Sequence, residues 1–315
     1  MYVTLLFLLC LPTQIDLPAQ YFIEHRTVHS WMLDKSDDTD VVSVAGNGFA
    51  MTAWAIASTN NQLPHNQALD WCKECFRETL KYNKQNKGWL YHFMDLNGNP
   101  IFTKEIGSID PAIFYLGARE AARILKDDSF AREVETAILA VDTKFMLTNN
   151  GQYPNKKYFS HGFFWVNGSP VFLENNWQEY SEGILLYRLF NLPYEHPTIQ
   201  YNLPLFVYYY PLCFYDGELK NILGTAIDYQ ISHFDRVGYT ACIGHTGYSV
   251  MEKDIISPLA LACCEFYFPE KVKNALDNLP GRTVPSYDLA RRQPIITRVA
   301  IDDGAYLLLR HKSKR

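Results

Sequence analysis

The sequence lacks the signatures of several protein classes. Its apolar stretches at 4–11 and 203–215 are shorter than the roughly 20 residues a bilayer-spanning helix needs, so no integral membrane span is expected. It has no G-x-S-x-G elbow and no Walker-type phosphate loop, which removes the hydrolase and nucleotide-hydrolysing folds built on them. Gly46-Asn-Gly48 lacks the third glycine of a dinucleotide fingerprint and leads into no evident βαβ unit. There is no excess of positive charge. With 29 Lys and Arg against 34 Asp and Glu, the net charge of −5 excludes nucleic acid as the expected partner. The cluster Arg310, Lys312, Lys314 and Arg315 is too short to change that and reads as a solvated tail. No low-complexity linker or charge run divides the chain, so one domain is expected over 20–315. These features leave the oligomeric state open.

Ordered cysteine spacing is also missing. Seven cysteines at irregular intervals form no disulfide framework. Cys72 and Cys75 make a C-x-x-C, but Leu69, Cys72, Phe76 and Leu80 fall at helical spacing, and no second pair completes four metal ligands. Packing is the expected role of Cys72. Asp95-Leu-Asn-Gly-Asn99 begins like a calcium loop, yet its glycine comes too early and position 12 is Ile106, so a tight turn is expected. No metal and no organic cofactor are expected.

What the chain does have is aromatic residues, 21 Tyr, 19 Phe and 6 Trp, or 15% of the sequence. They suit either a large core or a groove of flat faces with polar rims, the surface that binds sugar rings. Helical periodicity recurs along the chain. Helices are expected over 43–58, 65–82, 111–126, 130–146, 178–191, 217–233, 254–266, 269–278 and 302–310. Two short strands should flank the turn at 95–99, and 151–176 should be loop or short strand. Segments apolar nearly all round alternate with one-sided ones, as inner and outer helices of a barrel would. Residues 203–215, interrupted by Pro204 and Pro211, read as interior.

The remaining chemistry lies in carboxylates near aromatics. Trp177-Gln-Glu-Tyr-Ser-Glu182 is the densest such cluster, with Glu179 and Glu182 expected on one helix face. Capping of a helix start is the commoner explanation of such acids, since acidic first turns are frequent. The same holds for Asp110, expected as N-cap ahead of Pro111, and for Asp302-Asp303. Glu105 flanks the same junction as Asp110.

Several segments, taken in order, resemble the bacterial glucoamylase-like domain family, whose relatives include β-1,2-glucan hydrolases and domains of cyclic β-1,2-glucan synthases. They are Ser43-Val-Ala-Gly-Asn-Gly-Phe-Ala50, Tyr91-His-Phe-Met-Asp95, Glu105-Ile-Gly-Ser-Ile-Asp110, and Trp177-Gln-Glu-Tyr-Ser-Glu182 with Leu185-Leu-Tyr187 and His196-Pro197. Gly238-Tyr-Thr-Ala241 with Gly247-Tyr248 and Ile301-Asp-Asp-Gly304 complete the set. The resemblance spans roughly 20 to 310. It implies an all-α fold, an (α/α)6 barrel or toroid with short β-hairpin insertions, whose groove lies at one end of the inner helices. It departs at Asp34-Lys35, where the family usually has Asp-Arg, and at Val284-Pro-Ser-Tyr-Asp-Leu-Ala290, which replaces an aromatic-Gly…Asp-Ala-Phe-Asn stretch.

The implied activity is glycoside hydrolysis of a glucan or related oligosaccharide, with inversion, and β-1,2-glucan leads the candidates. Glu182 is expected as general acid and Asp302 as general base, with Glu105, Asp110 and Glu179 as reserves. Asp34, His92, His161, Trp177, Tyr180 and Tyr248 would hold hydroxyls or stack on rings. A non-catalytic glycan-binding or regulatory barrel is the alternative, and a polysaccharide lyase ranks third because few Arg or Lys lie in the motifs. Residues 4–11 resemble the apolar core of an export signal but lack a preceding basic residue and a cleavage site. They fit a leader within 1–19 or a first helix, and export to the periplasm or medium is slightly favoured.

Overall fold

The computed structural model describes residues 17–82, 87–193, 198–234, 236–245, 247–250, 252, 254–279 and 281–314. The leader-like stretch 4–11 and His196-Pro197 lie outside the described residues. Twelve α-helices are present among them: α1 (Leu17–Glu24), α2 (Val44–Thr59), α3 (His65–Tyr82), α4 (Ile109–Leu125), α5 (Asp128–Leu139), α6 (Thr143–Leu147), α7 (Gly183–Leu189), α8 (Phe206–Phe214), α9 (Leu219–Phe234), α10 (Pro258–Glu265), α11 (Pro269–Asp277) and α12 (Ala300–Ser313). Short strands join them: β1 (Val42–Ser43), β2 (Phe93–Met94), β3 (Ile106–Gly107), β4 (Gly162–Val166), β5 (Ser169–Phe172), β6 (Cys242–Gly244), β7 (Gly247–Ser249), β8 (Ile255–Ile256), β9 (Ser286–Asp288) and β10 (Gln293–Ile295). They form small antiparallel sheets, β1-β2, β3-β4-β5, β6-β7 and β8-β9-β10.

The expected alternation is present. Helix α2 is buried from Val44 to Ala57, whereas α3 buries one stripe of Ala68, Cys72, Cys75, Phe76 and Thr79. Helix α4 is mostly buried, and α5 hides only Phe130, Val134 and Ile138. The pairs α8 with α9 and α10 with α11 repeat the pattern. Packing passes from α2 to α4, α7, α8, α10 and α12, and from α12 back to α2. A helix without a polar face is stable only when surrounded, and this succession surrounds each apolar helix.

Glycines set how closely the inner helices approach. A Cβ on Gly117 of α4 would lie 2.1 Å from the carbonyl oxygen of Gly48 on α2, and one on Gly48 would lie 2.6 Å from that of Ile113. On the other side of α2, a Cβ on Gly304 of α12 would meet the Phe49 Cβ at 2.2 Å. Between α2 and α3 the contact includes polar groups. Asn47 accepts from the Met32 amide at 2.7 Å and donates to the Thr79 hydroxyl at 3.2 Å. Cys72 is fully buried, its thiol donating to the Met51 carbonyl at 3.4 Å, in keeping with its expected packing role.

The structure departs from the sequence expectations at several joints. The helix expected over 178–191 is two pieces. A 3-10 turn spans Trp177–Glu179, Tyr180 is extended (φ −115°, ψ 128°), and α7 starts at Gly183. Glu179 and Glu182 therefore share no helix face. The stripe over 130–146 is likewise broken, because Asp142 accepts from the Phe145 amide at 2.9 Å and starts α6 anew. Asp110 is not the N-cap. Helix α4 begins at Ile109 with Ser108 in the cap position, and Asp110 lies in the first turn. The segment 254–266 opens as strand β8 before Ser257 caps α10 by accepting from the Ala260 amide at 3.0 Å. The turn at 95–99 is as expected, with Asp95 Oδ1 accepting from the amides of Asn97 and Asn99 at 2.9 and 2.8 Å.

Gly117→Ala tests the α2–α4 contact. On an ordinary helix this change stabilises by up to about 1 kcal/mol. Here the new methyl meets backbone, so we expect a loss of about 1–3 kcal/mol and a melting temperature lower by several degrees. Thermal circular dichroism reads the sign directly.

Candidate functional site

One end of the inner helices opens into a cavity of about 610 Å³. Three carboxyl residues line it, Asp34, Asp110 and Glu182, together with His92, His161, Trp177, Tyr180, Tyr210 and Tyr248. Apolar side chains, Phe93, Phe102, Phe206 and Val250 among them, complete the wall.

Each carboxyl is presented by the end of a helix or by the segment that braces it. Glu182 is the residue just before α7 and is only 4% exposed. Its neighbour is glycine because the chain doubles back there: a Cβ on Gly183 would lie 2.8 Å from the Trp177 carbonyl oxygen. Trp177 in turn is held by its indole N–H, which donates to Ser108 Oγ at 2.7 Å. The Ser108 hydroxyl lies 2.7 Å from the Ser160 carbonyl and 2.9 Å from that of His161. This explains why Ser108 provides no side-chain cap for α4. Asp110 meets His92 Nε2 at 3.3 Å. Asp34 is fixed through its backbone, donating from its amide to Val41 at 2.9 Å and accepting from the Ala300 amide at 2.8 Å. That second bond joins the segment before α2 to the first turn of α12.

Burial governs the acidities. It pushes Glu182 from 4.5 up to about 8, with the nearby charge of Asp110 adding to the rise. Asp34 rises from 3.8 to about 6, mainly by burial and then by Asp38, against the pull of Lys35 and His92. Asp302 rises from 3.8 to about 7 by burial, opposed by a hydrogen bond from Tyr210. His161 falls from 6.5 to about 4 because burial disfavours its cation. Its ring stacks on Trp177 with centroids 4.0 Å apart, and Nε2 has no hydrogen-bond partner among the described residues. A buried nitrogen left so costs about 1–3 kcal/mol unless a ligand satisfies it. Tyr180 meets both rings edge-on, at 5.6 Å from Trp177 and 5.1 Å from His161.

The cavity thus gathers all six residues expected to bind substrate, together with Glu182 and Asp110. Asp302 is 8% exposed and is not part of the cavity wall, although its neighbour Ile301 is. Tyr210, whose hydroxyl donates to Asp302 Oδ1 at 2.7 Å, does line the cavity. Glu105 is not part of the cavity wall, and its pKa is raised by burial and by the charge of Asp110 against the pull of His92. Glu179 lies outside the cavity wall and is exposed, with its carboxylate accepting from the Gln200 amide. Tyr210 is the residue that sequence reasoning passed over. Three consecutive tyrosines, 208–210, in a segment read as interior were the available signal, since buried hydroxyls require partners.

A stability measurement tests the buried carboxyl. With a folded pKa near 8 above an unfolded value of 4.5, Glu182 contributes stability that is complete below 4.5 and lost as pH rises through 8. Glutamine carries no such dependence. The melting temperature of Glu182→Gln relative to wild type should therefore climb by several degrees between pH 4.5 and 8. A constant difference would mean that the carboxyl ionises normally.

No family model and no curated protein matches the chain. Solved structures do. A Bacteroides uniformis protein provisionally named a glucoamylase superposes with a TM-score of 0.76 at 15% identity, covering 94% of this chain and 90% of its own. The endo-β-1,2-glucanase of Chitinophaga pinensis, solved with sophorotriose and glucose, gives 0.69 at 16% identity over 94% and 90%. That of Talaromyces funiculosus, solved with sophorose, gives 0.61 at 11% identity over 95% and 85%. The chain has the helical-barrel fold that these glucanases and the Bacteroides protein share.

Proposed function

We propose that the protein is an inverting glycoside hydrolase that cleaves a glucan, with β-1,2-linked glucan the leading substrate, on an (α/α)6 barrel formed by the six inner helices and their outer partners. The observation that carries this reading is Glu182, a carboxyl whose pKa burial pushes up to about 8 and which lines an aromatic-walled cavity with two further carboxyls. Rings of Trp177, Tyr180 and Tyr248 line the cavity and suit the apolar side of a sugar. The endo-β-1,2-glucanases that share the fold support the choice of linkage. Lys35 is the one Lys or Arg among the described residues of the wall, and it is paired with Asp38 at 3.1 Å. That speaks against a lyase, which needs cations beside a uronate.

In the proposed reaction Glu182 gives its proton to the glycosidic oxygen as the bond to the anomeric carbon breaks. Asp302 accepts a proton from the water that attacks the opposite face, so the anomeric configuration inverts. Such pairs stand about 6.5–9.5 Å apart across the substrate. The Tyr210 hydroxyl stabilises the ionised form of Asp302. A second assignment makes Asp34 the base, and a specific observation favours it: Asp34 lines the cavity whereas Asp302 does not.

Reducing-sugar release from a glycan panel containing linear β-1,2-glucan and α-1,4-glucan tests the reading. Glu182→Gln should lower turnover by about 10²–10⁴-fold. No turnover of any glycan by wild type, with binding retained, would leave a glycan-binding barrel instead. The pH profile of kcat/KM should rise through about 7 as Asp302 ionises and fall through about 8 as Glu182 does. Tyr210→Phe removes a bond that favours ionised Asp302, so the rising limb should move to higher pH. If Asp34 is the base, the rising limb lies near 6 and ignores Tyr210.

A further inference from the structure

A second concavity lies apart from the carboxyl-lined cavity. It is an open groove of about 960 Å³ between the loop at 149–156 and strand β5 with its continuation to Glu174. Its lining is mixed. Pro154, Pro170, Val171 and Leu173 supply apolar surface, and Asn149, Gln152, Asn155, Lys156 and Glu174 supply hydrogen-bonding groups. Tyr153 is part of the lining and is 52% exposed. With one lysine and one glutamate the groove has no net formal charge, which gives it no pull on a polyanion such as nucleic acid.

Lys156 is the feature that packing alone does not explain. Its ammonium donates to Asn149 Oδ1 at 2.9 Å and to Ser160 Oγ at 2.7 Å, both neutral acceptors. No carboxylate lies within ion-pairing distance of it among the described residues, and burial lowers its pKa. An ammonium has three protons, so one remains for an acceptor in the groove. A neutral ligand rich in hydroxyls meets the requirements of an exposed ring, side-chain amides and a spare N–H donor together.

The groove also backs onto the wall of the carboxyl-lined cavity. Ser160, bonded to Lys156 and Asn149 on the groove side, precedes His161, which lines the cavity. The Ser160 carbonyl accepts from Ser108, which holds the indole of Trp177. We infer that this groove is a second carbohydrate site, which holds a remote stretch of the glucan chain whose scissile bond lies in the cavity. Tyr153 stacks on a sugar ring, and Lys156 with the side-chain amides binds hydroxyls. The choice of glucan rests on the function proposed above, whereas binding of a neutral glycan rests on the groove itself.

Calorimetric titration separates the two. Glu182→Gln, which keeps glycan intact, is titrated with linear β-1,2-glucan fragments of increasing length, and again after Tyr153→Ala or Lys156→Met is added. Fragments too short to span should bind in two events, one of them weakened about five- to tenfold by either added change. Fragments long enough to span should bind once and more tightly, and either change should remove that gain. In the enzyme with Glu182 present, Tyr153→Ala should lower the ratio of kcat/KM on polymer to that on the shortest cleaved oligosaccharide by a similar factor. Lys156→Met also removes bonds to the buried Asn149 and Ser160, so melting temperatures check that the fold survives, and the exposed Tyr153 carries the test where it does not. If no glycan is cleaved but one binding event still depends on Tyr153, the groove assignment stands and the hydrolase reading fails. A single event with the short fragments, or binding at every length that ignores both substitutions, overturns the groove.

Discussion

Helix α2 is the element on which the arrangement depends. It is buried from Val44 to Ala57, so no face of it tolerates water. It must find helices on all sides, and α3, α4 and α12 pack against it. The glycines at 48, 117 and 304 allow backbones to approach where any side chain would collide. Close approach on both flanks fixes the directions of α4 and α12, and hence where their first turns end. Asp110 lies in one of those turns and Asp302 in the other. A packing constraint among apolar helices therefore sets the positions of carboxyls far apart in sequence.

Those carboxyls are held at a cost. Glu182, Asp34 and Asp302 all sit where burial opposes ionisation, and all three have raised pKa values. A fold selected for stability alone would exclude such groups or pair each with a cation. Here the one lysine of the cavity wall is spent on Asp38, and Asp302 is met by a tyrosine hydroxyl rather than a charge. An environment of this kind keeps a carboxyl protonated near neutral pH, which is the state that proton donation to a glycosidic oxygen requires.

Much of the fold was legible in the residues because burial imposes periodicity. The one-sided stripe of α3 and the continuous apolarity of α2 each reflect what surrounds the helix, so inner and outer roles could be told apart. Joints were harder to read. Tyr180 and Asp142 interrupt runs that look helical, since local hydrogen bonds and the return of the chain to Trp177 outweigh the apolar pattern there. Asp110 looked like a cap, but Ser108 holds that position and uses its hydroxyl on Trp177 and on carbonyls more than 50 residues away. The residues expected to bind sugar do converge on one cavity. The resemblance to glucoamylase-like domains, more than any spacing, drew attention to them.

The sequence by itself determined which helices must be enclosed and which acidic motifs lie beside aromatic residues. These are matters of periodicity and adjacency, readable wherever they occur. Only the tertiary structure decided which acids share a cavity, how far each is removed from water, and what stands next to it. Glu179 and Glu182 differ by three positions, yet one is solvated against Gln200 and the other is enclosed beside Trp177. Acidity depends on desolvation and on charges brought near by folding, and neither quantity exists along the chain.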